Sequence, residues 1–165
     1  MRTYDENLAT LAIGAGRVES WSGYGTYCER RAAGLRSRAL RELDAFLRKT
    51  DLWPFEERQS FVLWLCEHMS AGADPRSGAL PYPLFSHLLR PTLMEWSQVE
   101  PKNPRPHRWL GMFLRYGSPN EADEILAEIS LRRAIALDPD EQPARVRLAR
   151  DLLSDLEYSV HHLPE

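Results

Sequence analysis

An all-α fold is what this sequence predicts, and three observations predict it. Runs of alternating β-branched residues are absent, and the Asn-Gly and Asp-Gly pairs that turn hairpins do not occur. Apolar residues recur instead at three- and four-residue spacing between breaks rich in proline and glycine. Several of those breaks carry helix-capping chemistry.

The spacing predicts helices near 29–49, 54–70, 83–99, 105–116, 119–137 and 141–160. Residues 1–28 read as an irregular N-terminal segment, because Gly14, Gly16, Gly23 and Gly25 weaken the helix, although Leu8, Leu11 and Ala12 suit a short one. AGADPRSGALPYP, 71–83, reads as an inserted loop. Ser118-Pro119-Asn120-Glu121 is a capping box with proline at the first helical position, and Asn103-Pro104 is a second legal start. Asp140-Glu141 places negative charge at the positive end of the helix that follows. Within 119–137, Ile125, Ile129, Leu131 and Ala134 form the expected buried stripe. Trp53, Phe55, Phe61 and Trp64 read as an aromatic core, and Cys66 as a core thiol.

With 165 residues and 43% hydrophobic content, 1–165 fits a single helical domain. A formal net charge of −3 gives no general attraction to nucleic acid or to an anionic membrane. No stretch approaches the roughly 18 apolar residues of a membrane span. Cys28 and Cys66 form no CxxC pair and follow no secretion signal, so a cytoplasmic location is expected. Lys49 and Lys102 are the only lysines, so 19 of the 21 basic residues are arginine. Such usage fits a high-GC, bacterial-type chain, and it also suits the gripping of carboxylates by a planar fork. One cluster, Arg30, Arg31, Arg36, Arg38 and Arg41, is balanced by Glu29, Glu42 and Asp44 and reads as a solvated face.

Internal spacing points to a repeat. Leu131 and Ala134 precede Pro139 by eight and five positions, as Leu93 and Trp96 precede Pro101. Leu148, Ala149 and Leu152 follow Pro139 as Leu110, Gly111 and Leu114 follow Pro101. Here the chain resembles the tetratricopeptide repeat family, whose unit is a helix–turn–helix with a W-x2-L-G-x2-Y … A-x3-F … P pattern. Leu110-Gly111-x2-Leu114 and Leu148-Ala149-x2-Leu152 stand in the L-G-x2-Y slots, Ala127-x3-Leu131 in the A-x3-F slot, and Pro139 closes the unit. The match is clearest over 101–153, within a best region of 101–160, and a weaker copy at 27–51 uses Gly34, Ala39, Leu43 and Phe46. The resemblance implies a right-handed superhelix of stacked antiparallel helix pairs, with a concave protein-binding groove lined by the first helix of each pair.

On that reading the groove face shows Arg105, Arg108, Trp109, Met112, Arg115 and Tyr116 after Pro104, and Val146, Arg147 and Arg150 after Pro143. Arginine with aromatic residues suits a protein or acidic peptide partner. The expected function is therefore non-enzymatic protein–protein interaction, with no cofactor, no catalytic residue and no metal site. An immunity- or antitoxin-like protein that neutralises a toxin is one alternative. A small helical enzyme gathering Glu67, His68 and His107 is another. GAGRVE, 14–19, lacks the third glycine of a dinucleotide fingerprint, and no phosphate loop, GxSxG or HExxH is present. Glu157, His161 and His162 read as the charged end of a terminal helix rather than as metal ligands. That helix either caps the stack or uses Leu148, Leu152, Leu156 and Val160 to form a homodimer.

Overall fold

Gly25 shows why the N-terminal glycines mislead. The computed structural model of the chain describes residues 4–70, 78–115 and 120–161. In it the segment expected to be irregular holds two helices, α1 (Tyr4–Gly16) and α2 (Ser22–Ala32), joined through a short 3-10 turn at Glu19–Trp21. A Cβ at Gly25 would stand 3.1 Å from the carbonyl oxygen of Ala12, so the glycine is a contact surface between the two backbones rather than a break. Leu8, Leu11, Tyr24 and Tyr27 are buried in the same unit.

The remaining elements are α3 (Arg36–Thr50), α4 (Phe55–Ser70), α5 (Tyr82–Leu84), a π-helical stretch at Phe85–Leu89, α6 (Arg90–Val99), α7 (Pro104–Phe113), α8 (Glu121–Leu137) and α9 (Gln142–His161). Every regular element among the described residues is helical, and α1 with α2, α2 with α3, α7 with α8, and α8 with α9 pack as adjacent pairs. Where the sequence predicts one helix over 29–49, the chain turns at Gly34, which takes φ +73°. Two reciprocal bonds, Leu35 N–H to Arg30 O at 2.8 Å and Gly34 N–H to Arg31 O at 3.0 Å, close the end of α2 in a Schellman motif.

The chain divides into two compact units, Met1–Thr92 and Leu93–Glu165, where the sequence predicts a single domain. The first is organised by aromatic contacts: Phe61 meets Trp21 and Tyr24 edge-on at 5.5 and 5.4 Å between ring centroids, and Phe46 lies 5.3 Å away. Trp53 and Trp64 join the same cluster while Phe55 is only partly buried. Of the expected 71–83 loop, residues 71–77 lie outside the described residues. Its far end is tied down by Tyr24, whose hydroxyl donates to the Ala79 carbonyl at 2.6 Å, and by Tyr27, which donates to Gly78. Burial pushes the Cys28 thiol up to about 12, and burial with the nearby Cys28 raises the Tyr24 hydroxyl well above its usual value. A thiol held neutral in this way is a packing group, not a nucleophile.

The second unit contains the best-matched region, and its capping is as expected at one end and shifted at the other. Asn103 Oδ1 accepts from Arg105 N–H at 3.0 Å to start α7. Asn120, rather than Ser118, caps α8, its Oδ1 accepting from Asp123 N–H at 2.8 Å; Ser118 and Pro119 lie outside the described residues. Gly111 on α7 takes the place of a side chain against α8, since a Cβ there would fall 2.4 Å from Leu131 Cγ and 3.0 Å from Ala127 O. Leu131, Ala134 and Ala144 are fully buried, with Met112, Ile135 and Leu148 packed around them. The expected stripe on α8 needs correction: Leu131 and Ala134 are buried, but Ile125 and Ile129 are 54% and 57% exposed. The helix buries Ala127, Ser130, Leu131 and Ala134 instead, because Gly111 draws α7 onto its small-residue face. Among the described residues no helix is long and apolar enough to cross a membrane.

Candidate functional site: a groove on α6, α7 and α8

Of the arginines that the sequence places on a binding face, Arg108, Arg115 and Arg147 are already paired. Arg108 Nη1 lies 2.6 Å from Glu141 Oε1, and the two side chains are only 17% and 6% exposed. Its guanidinium also stacks 4.1 Å from the Trp109 ring. Arg147 Nε donates to both carboxylate oxygens of Asp151 at 2.9 and 3.0 Å. Arg115 completes the set through Asp151 at 3.7 Å and Asp155 at 3.4 Å. The Arg108 and Arg115 pairs tie the α7 segment to the α9 segment, whereas Arg147 with Asp151 is an i,i+4 pair within α9.

That arrangement revises the predicted face residue by residue. Trp109 is 2% exposed and stacks on Phe113 with centroids 6.0 Å apart, so it belongs to the core. Met112 packs against the Leu131 cluster. Arg105 and Arg150 remain exposed, and Tyr116 lies outside the described residues. Glu141, expected with Asp140 as charge at a helix start, is a buried partner of Arg108. The i,i+4 pairing of Arg147 with Asp151 is legible in the sequence. The pairing of Arg108 with Glu141, 33 positions apart, needs the fold.

A different surface of the same unit offers a cavity. Met94, Ser97 and Gln98 from α6, His107 and Leu110 from α7, and Leu126, Ile129, Ser130 and Arg133 from α8 line a recess of about 240 Å³. Met94 and Ile129 are exposed at 38% and 57%, so its rim is apolar surface that the core does not use. His107 hydrogen-bonds the Pro101 carbonyl, and its Nε2 is buried with no hydrogen-bond partner among the described residues. Because a carbonyl only accepts, the other ring nitrogen carries the proton and Nε2 stays a bare acceptor. Burial first, and the Arg133 charge second, hold the imidazole below its ordinary 6.5, against the opposite pull of the Pro101 bond. The recess therefore combines an apolar lining, a neutral acceptor and a cation at its edge. In the sequence His107 stands only among the residues of the enzyme alternative and Ile129 as a core residue; nothing in the spacing brings them together with Met94.

The lowered His107 value has a consequence for stability. Above 6.5 the ring is neutral both folded and unfolded. As pH falls through that value the unfolded chain binds a proton that the folded ring refuses, so stability drops until the folded pKa is passed. We expect the His107 imidazole to titrate below 6.5 by NMR. We also expect His107→Gln to remove part of the loss of unfolding free energy in that window. A midpoint at or above 6.5 contradicts the assignment.

The enzyme alternative finds a different setting for His68. Its Nδ1–H donates to the Trp64 carbonyl at 2.8 Å and the ring packs 4.8 Å from the Trp64 ring. Glu67 is exposed, and both cysteines are buried. Among the described residues no group of three or more His, Cys, Asp and Glu is placed to hold a metal ion. Compared with known proteins, the chain matches no family model, no curated protein and no solved structure.

Proposed function

We propose that this chain is a non-enzymatic interaction module of tetratricopeptide-like design, which seats an acidic peptide segment of a partner protein in the α6–α7–α8 recess. The observation that carries the reading is the recess itself, where Met94, Leu126 and Ile129 can hold an apolar anchor beside Arg133 and His107. An anchor buried among those side chains gains about 25 cal/mol per Å² of apolar surface removed from water. A carboxylate on the flanking peptide answers Arg133, and a backbone N–H or side-chain hydroxyl answers His107 Nε2. The helix-pair design is supported by the close seat of Gly111 against Ala127 and Leu131, the small-residue contact that the repeat pattern requires. A right-handed superhelical stack belongs to the same proposal. The partner surface differs from the predicted arginine face, where Arg108 and Arg115 are engaged by Glu141, Asp151 and Asp155.

A displayed random-peptide library tests this reading. Selection on the wild-type chain should enrich peptides with one large apolar residue flanked by Asp or Glu. Ile129→Asp and Arg133→Glu alter exposed side chains, so the fold should persist, and each should abolish that enrichment. No enriched motif, or one retained by both variants, contradicts the proposal.

A further inference from the structure

The α9 helix is apolar on two opposite sides, and among the described residues only one of them is packed. Ala144 is buried and Leu148 packs on the Leu131 cluster, which fixes the inner face. Half a turn away, Val146, Leu153 and Leu156 are 54%, 61% and 60% exposed. Leu156 is common to this stripe and to the dimer surface expected from Leu148, Leu152, Leu156 and Val160, but Leu148 faces the core, and the side chain of Val160 lies outside the described residues. Ala149, in the slot where α7 carries Gly111, is exposed on the same side and leaves room for a neighbouring backbone. Val146, Ala149, Arg150, Leu153, Ser154 and Glu157 line an open groove there.

We propose that the occupant of this groove is α9 of a second copy of the chain, running antiparallel about a two-fold axis at Leu153 and Ser154. The charge pattern carries the choice. Arg150 and Glu157 lie seven residues apart, about 10.5 Å along the helix at 1.5 Å per residue, and nearly symmetrically about Leu153 and Ser154. Neither forms an ion pair with another described residue. In an antiparallel pair each Arg150 meets the other copy's Glu157, while Leu153 meets its own counterpart at the axis. A closed two-fold interface demands that kind of self-complementarity. A parallel pair would set the two copies of Arg150 at one height and the two copies of Glu157 at another, with neither beside its opposite charge. The surface is separate from the α6–α7–α8 recess, and the inference does not depend on it.

Sedimentation equilibrium of the full chain tests the proposal with charge-swapped variants. Wild type should show a concentration-dependent dimer, and Leu153→Asp should leave only monomer. Arg150→Glu alone, or Glu157→Arg alone, creates two like-charge contacts and should weaken self-association roughly tenfold. Mixing the two single variants restores both opposite-charge contacts and should recover a heterodimer of wild-type strength. A monomer at every concentration, a dimer indifferent to Leu153→Asp, or a mixture no tighter than either variant alone overturns the proposal. Peptide selection in the α6–α7–α8 recess should be unchanged by all three variants, so the two readings fail separately.

Discussion

Glu141→Ala should lower the opening free energy of the Leu93–Glu165 unit by about 3 kcal/mol, the low end of the cost of breaking a buried ion pair by removing one partner. The cause is the charge left behind. Arg108, on α7, is 17% exposed and has Glu141, the residue just before α9, at 2.6 Å as its counter-charge. Glu141 Oε2 is itself buried with no hydrogen-bond partner among the described residues, so the carboxylate depends on that single strong bond. Hydrogen exchange of the α7–α9 amides isolates this unit from the other and reads the loss directly. Replacing both partners, Arg108→Met with Glu141→Leu, should recover stability to within about 1 kcal/mol, because an apolar pair of similar volume avoids both desolvation costs. A loss below about 1 kcal/mol in the single variant would show that Arg108 is adequately solvated without its partner.

The second large effect is at Gly111. Alanine gains up to about 1 kcal/mol of helix propensity over glycine, which alone predicts stabilisation. Packing opposes it: the new Cβ would lie 2.4 Å from Leu131 Cγ and 2.6 Å from Leu131 Cδ2, in a fully buried side chain, and 3.0 Å from the Ala127 carbonyl oxygen. Overpacking of this kind costs about 1–3 kcal/mol, so Gly111→Ala should be a net loss and Gly111→Val a loss of about 3 kcal/mol. Combining Gly111→Ala with Leu131→Ala should cost less than the sum of the two, since each relieves the contact of the other. Additive losses measured by the same exchange experiment would place Gly111 away from Leu131.

Particular residues show what the sequence makes legible. The all-helical fold follows from local signals that need no tertiary knowledge: apolar residues at helical spacing, proline and glycine breaks, and Asn103-Pro104 as a helix start. The α7–α8 helix pair is legible too, because Gly111, Ala127 and Leu131 are small or apolar at the spacing that two touching helices require. Side-chain destinations are a different matter. A helical stripe states which residues share a face, but which face meets a neighbour depends on the crossing, and on α8 the crossing chose Ala127 and Ser130 over Ile125 and Ile129. Arginine is equally ambiguous, since the fork that would grip a partner's carboxylate grips Glu141, Asp151 and Asp155 of this chain just as well. The recess beside His107 draws on three helices, and no local pattern announces it.

The most direct test of the binding role is an NMR titration of the isotope-labelled chain with a peptide enriched in the library selection. Amide shifts centred on Ser97, Gln98, Ile129, Ser130 and Arg133, together with a shift of the His107 imidazole, are the predicted result. Shifts confined to Arg108, Arg115 and Arg147, with the His107 ring unmoved, would contradict it and return the binding surface to the arginine face of α7 and α9.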